Sequence, residues 1–184
     1  MKTIGDRAFL NCLSLASVTI GDSVATIGNR AFYKCLSLTS VTISPNNKKF
    51  KTIDNVLFNM DDKILVVYPS NKNRGWPVGG ASPGYLSLSP SKYIIPDWVV
   101  TIGVRAFYNC QSLTSVTIPD SVKTIGDYAF SDCRSLTSVT INKKIAENLG
   151  FNAPYKKVDF FGSKVDLNII SKRSLYSQKS YNSM

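Results

Sequence analysis

The sequence predicts a β-rich α/β repeat solenoid, a right-handed coil of about six turns with short strands on one face and helical or 3-10 turns opposite. Three observations predict it. The eighteen residues from Thr101 to Ile118 recur almost unchanged at Thr124 to Ile141, Thr26 to Ile43 and Thr3 to Ile20. The steps from Thr3 to Thr26 and from Thr101 to Thr124 are both 23 residues. Every copy ends in Ser-Val-Thr-Ile, a β-branched run with period-two alternation.

Each repeat reads as one coil. In its strand, Val18 and Ile20 point to one face, Ser17 and Thr19 to the other. A glycine follows each Thr-Ile pair (Gly5, Gly28, Gly103, Gly126), for positive φ or for close backbone packing. Ala-Phe-x-x-Cys comes next and predicts a single helical or 3-10 turn, too short to persist unless it stacks on its neighbours. Stacking then sets Phe9, Phe32, Phe107 and Phe130 in one buried column. It sets Leu15, Leu38, Leu113 and Leu136 in another.

The run Ile-Gly-x-x-Ala-Phe-x-x-Cys-x-Ser-Leu-Thr-Ser-Val-Thr-Ile-Pro resembles the BspA-like, Treponema-type branch of the leucine-rich repeats, over about three-quarters of the chain. Asp54-Asn55-Val56-Leu57-Phe58 with Tyr68-Pro69 is similar to that family's divergent repeat, with Asn55 where glycine is commoner. Asparagine also tolerates positive φ, so a turn there survives. The resemblance implies an extended solenoid without catalysis, acting in attachment and protein binding at cell surfaces. It also implies a cell-surface or secreted location.

The regular repeats at 3–43 and 101–141 flank a divergent stretch, 44–100, and together they predict one solenoid over 1–141. Aligning strands alone makes Val18, Val41, Val66, Tyr93, Val116 and Val139 equivalent, which gives two enlarged coils in the middle. Val56 to Asn59 and Ile64 to Tyr68 read as a β-hairpin around Met60-Asp61-Asp62-Lys63. Residues 70–91, rich in Gly, Pro, Ser and Asn, read as a long surface loop. A capping element is expected over 142–162, with a helical turn at 143–149 and an edge strand at 158–161. A basic, disordered tail is expected over 163–184.

Composition narrows function. The 184 residues contain no histidine, which removes His-based triads. No phosphate-binding loop, Gly-x-Ser-x-Gly or Cys-x-x-Cys spacing occurs, so neither an enzyme nor a cofactor or metal is expected. Cys12, Cys35, Cys110 and Cys133 share one repeat position and read as a buried thiol column, although stacked coils bring cysteines within disulfide range. No apolar run suffices for a membrane span, and the N-terminus enters a repeat without a signal-peptide pattern. The net charge of +10 sits in the irregular parts. From Asn142 on there are eight Lys/Arg against three Asp/Glu, and over 44–92 seven against three. This favours acidic partners or simple solubility; basic residues and aromatics are too sparsely interleaved for nucleic acid.

The candidate contact surface is where two outward columns stop being Ser/Thr. One runs Thr19, Thr42, Val67, Ile94, Thr117, Thr140; the other runs Ser17, Ser40, Leu65, Lys92, Ser115, Ser138. Leu65, Val67 and Ile94 would form an exposed apolar patch, with Trp98 standing where regular coils have Ser23 and Ser121. Trp76 and Tyr85 would wall the site, and Lys72, Arg74 and Lys92 would attract an acidic protein or glycan. The alternatives are that the 70–91 loop covers this patch, or that the chain is a structural spacer or a fragment of a larger array.

Overall fold

The computed structural model describes residues 2–70, 91–142 and 146–147, and the backbone of 166–170. It is a β-solenoid of about five turns. Each coil runs from a Thr-Ile strand round a corner to a Ser-Val-Thr-Ile strand. The first coil holds β1 (Thr3–Ile4) and β2 (Ser17–Ile20). The second holds β3 (Thr26–Ile27) and β4 (Ser40–Ile43). A meander follows, made of β5 (Phe50–Ile53), β6 (Val56–Asn59) and β7 (Ile64–Val67), antiparallel at both joins. Then come β8 (Ser91–Ile94), β9 (Thr101–Ile102), β10 (Leu113–Ile118), β11 (Thr124–Ile125), β12 (Ser138–Asn142) and β13 (Asp166–Ile170).

Pairing from coil to coil is parallel. Ser17 to Ile20 pair in register with Ser40 to Ile43, and Ser115 to Ile118 with Ser138 to Ile141. Tyr93 pairs with Val116, as the strand alignment expected. Val66 does not join that series. β7 pairs instead with β9, Leu65 opposite Ile102, so it occupies the Thr-Ile position of a coil. β7 and β8 are therefore two strands of one turn, and the expected count of six falls to five.

The corners are turns, not helix, which corrects the helical or 3-10 face. Among the described residues only Ala146 and Glu147 are helical, within the turn expected at 143–149. The reason lies in alternation along each corner. The amides of Ala8, Leu10 and Cys12 bond three residues back within the coil, while those of Arg7, Phe9 and Asn11 bond the carbonyls of Asn29, Ala31 and Tyr33 on the next. The same division recurs at Arg105, Phe107 and Asn109. Arg7, Asn11, Arg30, Lys34, Arg105, Asn109, Tyr128 and Asp132 have φ between 56° and 62°, which breaks a right-handed helix twice per corner. The glycines serve close packing: a Cβ on Gly28 would meet the Asp6 nitrogen at 2.4 Å, and one on Gly126 the Val104 nitrogen at 2.5 Å.

The Phe and Leu columns form, but the core is in two parts. Phe9 stacks on Phe32 at 5.3 Å, and Phe107 on Phe130 at 4.7 Å. Tyr68 continues the second stack at 5.1 Å from Phe107. Each thiol from the second coil on caps the previous coil's aromatic carbonyl: Cys35 Sγ donates to Phe9 O, Cys110 Sγ to Tyr68 O and Cys133 Sγ to Phe107 O. All four cysteines are free, and Cys12, in the first coil, is half-exposed.

The meander wedges between the two parts. Val56, Phe58 and Leu65 pack into the C-terminal part, and Leu57, Val66 and Val67 into the N-terminal part. Its hairpin is the expected one. Asn59 Oδ1 accepts the amides of Asp61 and Asp62, so these acids serve the turn. Asp54 and Asn55 both have positive φ, as the divergent motif implied for Asn55. β13 extends the sheet beside β12 from within the stretch assigned to a disordered tail, with Leu167 opposite Val139. Its alternation matches that of Ser-Val-Thr-Ile, but Asp166 and Asn168 are poor strand formers, which hid it. Residues 71–90 of the expected loop, the 158–161 strand and the tail beyond 170 lie outside the described residues.

Candidate binding surface and cleft

The Ser/Thr face exists. Tyr93, Val116 and Val139 turn inward, which leaves Lys92 and Ile94, Ser115 and Thr117, and Ser138 and Thr140 in two outward columns. On the first two coils Thr19 and Thr42 share a hydroxyl hydrogen bond of 2.8 Å. Ile94 stands 70% exposed in the threonine column, the most exposed large apolar side chain among the described residues. Lys92 beside it is also exposed.

Three of the expected neighbours are elsewhere. Leu65 is fully buried and is no part of an exposed patch. Val67 is half-buried against the N-terminal core. Trp98 does hold the place of Ser121, but its ring packs on Phe58 at 5.0 Å and closes the C-terminal core. β6 and β7 are covered on both faces, which buries Leu65 and half-buries Val67, and Phe58 of β6 gives Trp98 its ring partner. Lys72, Arg74, Trp76 and Tyr85 lie outside the described residues.

A cleft not expected from the sequence opens between the second and fourth coils. In regular coils the column aromatic comes five positions after the Thr-Ile isoleucine, as Phe107 after Ile102; in the third coil Tyr68 comes only three positions after Leu65. The third coil thus cuts its corner. The space left measures about 300 Å³ and is lined by Phe32, Tyr33, Val67, Ser70, Arg105 and Tyr108, among others. Arg105 of the fourth coil reaches over it to the ring of Tyr33 at 4.0 Å, with Tyr128 at 4.8 Å on its other side. Tyr33 and Tyr108 meet edge to face at 4.6 Å. Burial, then hydrogen bonds with Tyr33 and Asp132, hold the Tyr108 phenol well above its ordinary pKa, so it stays protonated. The sequence signal was the shortened corner, legible only with β7 in the correct register.

No group of three or more His, Cys, Asp or Glu among the described residues is placed to hold a metal ion. Burial pushes the Cys35 thiol up to about 11, far from a reactive thiolate. No helix among the described residues is long and apolar enough to cross a membrane.

Comparison with known proteins agrees with the repeat pattern. The BspA type leucine rich repeat region matches residues 1–74 and 85–181, in six copies. No curated protein matches the chain. Among solved structures, the pneumococcal vaccine antigen PcpA is 26% identical, with a TM-score of 0.56, over 68% of this chain and 29% of that one. A leucine-rich repeat protein from Eubacterium ventriosum is 25% identical, with a TM-score of 0.60, over 85% of this chain and 37% of that one. The chain thus spans well under half the length of either.

Proposed function

The chain belongs to the BspA-type leucine-rich-repeat family, and we propose that it is a non-catalytic, adhesion-type module that binds a protein through the sheet face around Ile94 and Lys92. The observation that carries this reading is Ile94 itself. Regular coils hold threonine in that column, and a 70%-exposed isoleucine beside an exposed lysine is a cost a solvated sheet has no need of. The cation favours an acidic partner and a salt-dependent encounter. Likeness to a vaccine antigen supports presentation at a cell surface.

The test restores the regular-coil residues. Ile94→Thr with Lys92→Ser leaves the melting temperature within a degree or two and abolishes capture of a surface-protein ligand in a pull-down. Equal capture by the double variant and the parent refutes this surface, and capture of acidic glycans alone reassigns the ligand class. A structural-spacer reading rests on a different observation. Phe9, Leu15 and Val18 are only part-buried, while their equivalents in the other regular coils are buried, so the first coil's outer side is fit to stack on another coil.

A further inference from the structure

We propose that the cleft between the second and fourth coils is a second binding site, which takes an extended acidic peptide segment between their two corners. The site is independent of the Ile94 face. Its main feature is a row of backbone donors. In the first coil the amides of Arg7, Phe9 and Asn11 bond carbonyls of the next coil at 3.0, 2.8 and 3.0 Å. In the fourth coil Arg105, Phe107 and Asn109 do the same at 3.1, 2.8 and 2.9 Å. The equivalent amides of the second coil belong to Arg30, Phe32 and Lys34. These three have no hydrogen-bond partner among the described residues, and all three residues line the cleft.

The opposite wall is the complement. On the fourth coil the Ala106 carbonyl receives the amide of Tyr68 at 2.7 Å. Among the described residues of the third coil, none donates an amide to the carbonyls of Val104 or Tyr108. Donors on one wall and acceptors on the other, each at alternate residues, are what a coil presents to the coil stacked on it. That pattern matches an extended main chain of a few residues, which would part the rings of Tyr33 and Tyr108 that meet across the cleft. A compact ligand would match one wall only.

Charge selects among extended segments. The lining contains Arg30, Lys34 and Arg105 and no acidic residue. Arg105 Nε is buried without a hydrogen-bond partner, although its guanidinium lies among the rings of Tyr33 and Tyr128. A carboxylate beside that nitrogen would satisfy it with a charge-assisted hydrogen bond. The segment is therefore extended and acidic.

The chain supplies its own probe. Residues 126–132, Gly-Asp-Tyr-Ala-Phe-Ser-Asp, are the corner whose carbonyls accept from Arg105, Phe107 and Asn109. A synthetic peptide of this sequence, blocked at both ends, is titrated into isotope-labelled protein while amide exchange is followed by NMR. The amides of Arg30, Phe32 and Lys34 are expected to exchange at least tenfold faster than those of Arg7, Phe9 and Asn11 in the free protein. They should slow at least tenfold with peptide bound. Lys34→Gln, and separately Arg105→Gln, should weaken binding at least threefold, and the peptide with both aspartates changed to lysine should not bind. Two results overturn the proposal: amides of Arg30, Phe32 and Lys34 already protected in the free protein, which means the chain fills its own cleft, or no change in them at millimolar peptide.

Discussion

The guanidinium of Arg105 lies 4.0 Å from the centre of the Tyr33 ring, although 72 residues and a whole coil separate them in the stack. The contact spans the cleft that Tyr33 and Arg105 both line. It ties the two halves of the solenoid at the place where the aromatic column between Phe32 and Tyr68 is broken. A double-mutant cycle with Arg105→Ala and Tyr33→Ala, read by thermal or urea unfolding, should give a coupling of about 1 kcal/mol. A coupling near zero would make the contact incidental. Arg105→Lys should lose part of it, since an ammonium does not stack as a planar guanidinium does.

Asn47 should be the most sensitive polar residue of the N-terminal half. It is buried, and its Nδ2 donates to the carbonyls of Gly21 and Val24, while Oδ1 accepts the amides of Lys49 and Phe50. It therefore ties the first coil's return to the start of the meander. Asn47→Ala strands the Val24 carbonyl and two amides, while the Gly21 carbonyl keeps the Val24 amide, and should cost roughly 3 kcal/mol in urea unfolding. Asn47→Asp should cost more, because it removes both donors and buries a charge.

Phe107 sits in the middle of a three-ring stack, between Tyr68 and Phe130, and is fully buried. Phe107→Ala should cost roughly 3–5 kcal/mol, because neighbours held by their own coils cannot close the space. Phe9, stacked on one side only and half-exposed, should cost clearly less when truncated. Equal losses at the two positions would contradict an ordered column.

The thiols give a pH dependence with a definite sign. Burial raises Cys35 from 9.0 to about 11, so the folded state keeps its proton where the unfolded chain loses it. Its contribution to stability is complete below pH 9 and is lost as pH rises through about 11. Cys35→Ser should flatten that part of the stability profile. In the folded protein at pH 8, Cys12 should alkylate well before Cys35, Cys110 and Cys133, the three buried thiols. In denaturant without reductant all four should react.

The regular coils were legible because each is repeated with its spacing intact. The strands, their register from Ser17 to Ile20 onto Ser40 to Ile43, the Phe column and the shared cysteine position all follow from one period. Two kinds of feature were not legible. The corner Ala-Phe-x-x-Cys has the composition of a helical turn, and its division of amides between two coils depends on stacking, which no single repeat encodes. The second is β7. Leu65, Val66 and Val67 make a continuous apolar strand, and such a run does not reveal whether one face or both is covered. Placing it in the Ser-Val-Thr-Ile series put Leu65 and Val67 on the surface, and the serines that Trp98 replaces put Trp98 there too. Placing it opposite Ile102 buries Leu65 and opens the cleft.

Trp98 and Ile94 now separate the proposed surface from the core beneath it. Trp98 packs edge to face on Phe58, which is fully buried where the meander meets the C-terminal core. Trp98→Ser should therefore destabilise the protein by about 2 kcal/mol, through lost apolar burial and a lost aromatic pair. Ile94 makes no comparable contact, because its side chain stands 70% in solvent. Ile94→Thr should leave stability within about 0.5 kcal/mol of the parent, as expected for an exposed position on an edge strand beside the threonine of β10. Binding should show the opposite order. Measured well below the melting temperature of each variant, Ile94→Thr should weaken partner affinity at least tenfold, and Trp98→Ser should weaken it only slightly. If Trp98→Ser abolishes binding while folded and Ile94→Thr does not, the contact surface lies around Trp98, and the exposed isoleucine is a neutral substitution in a polar sheet.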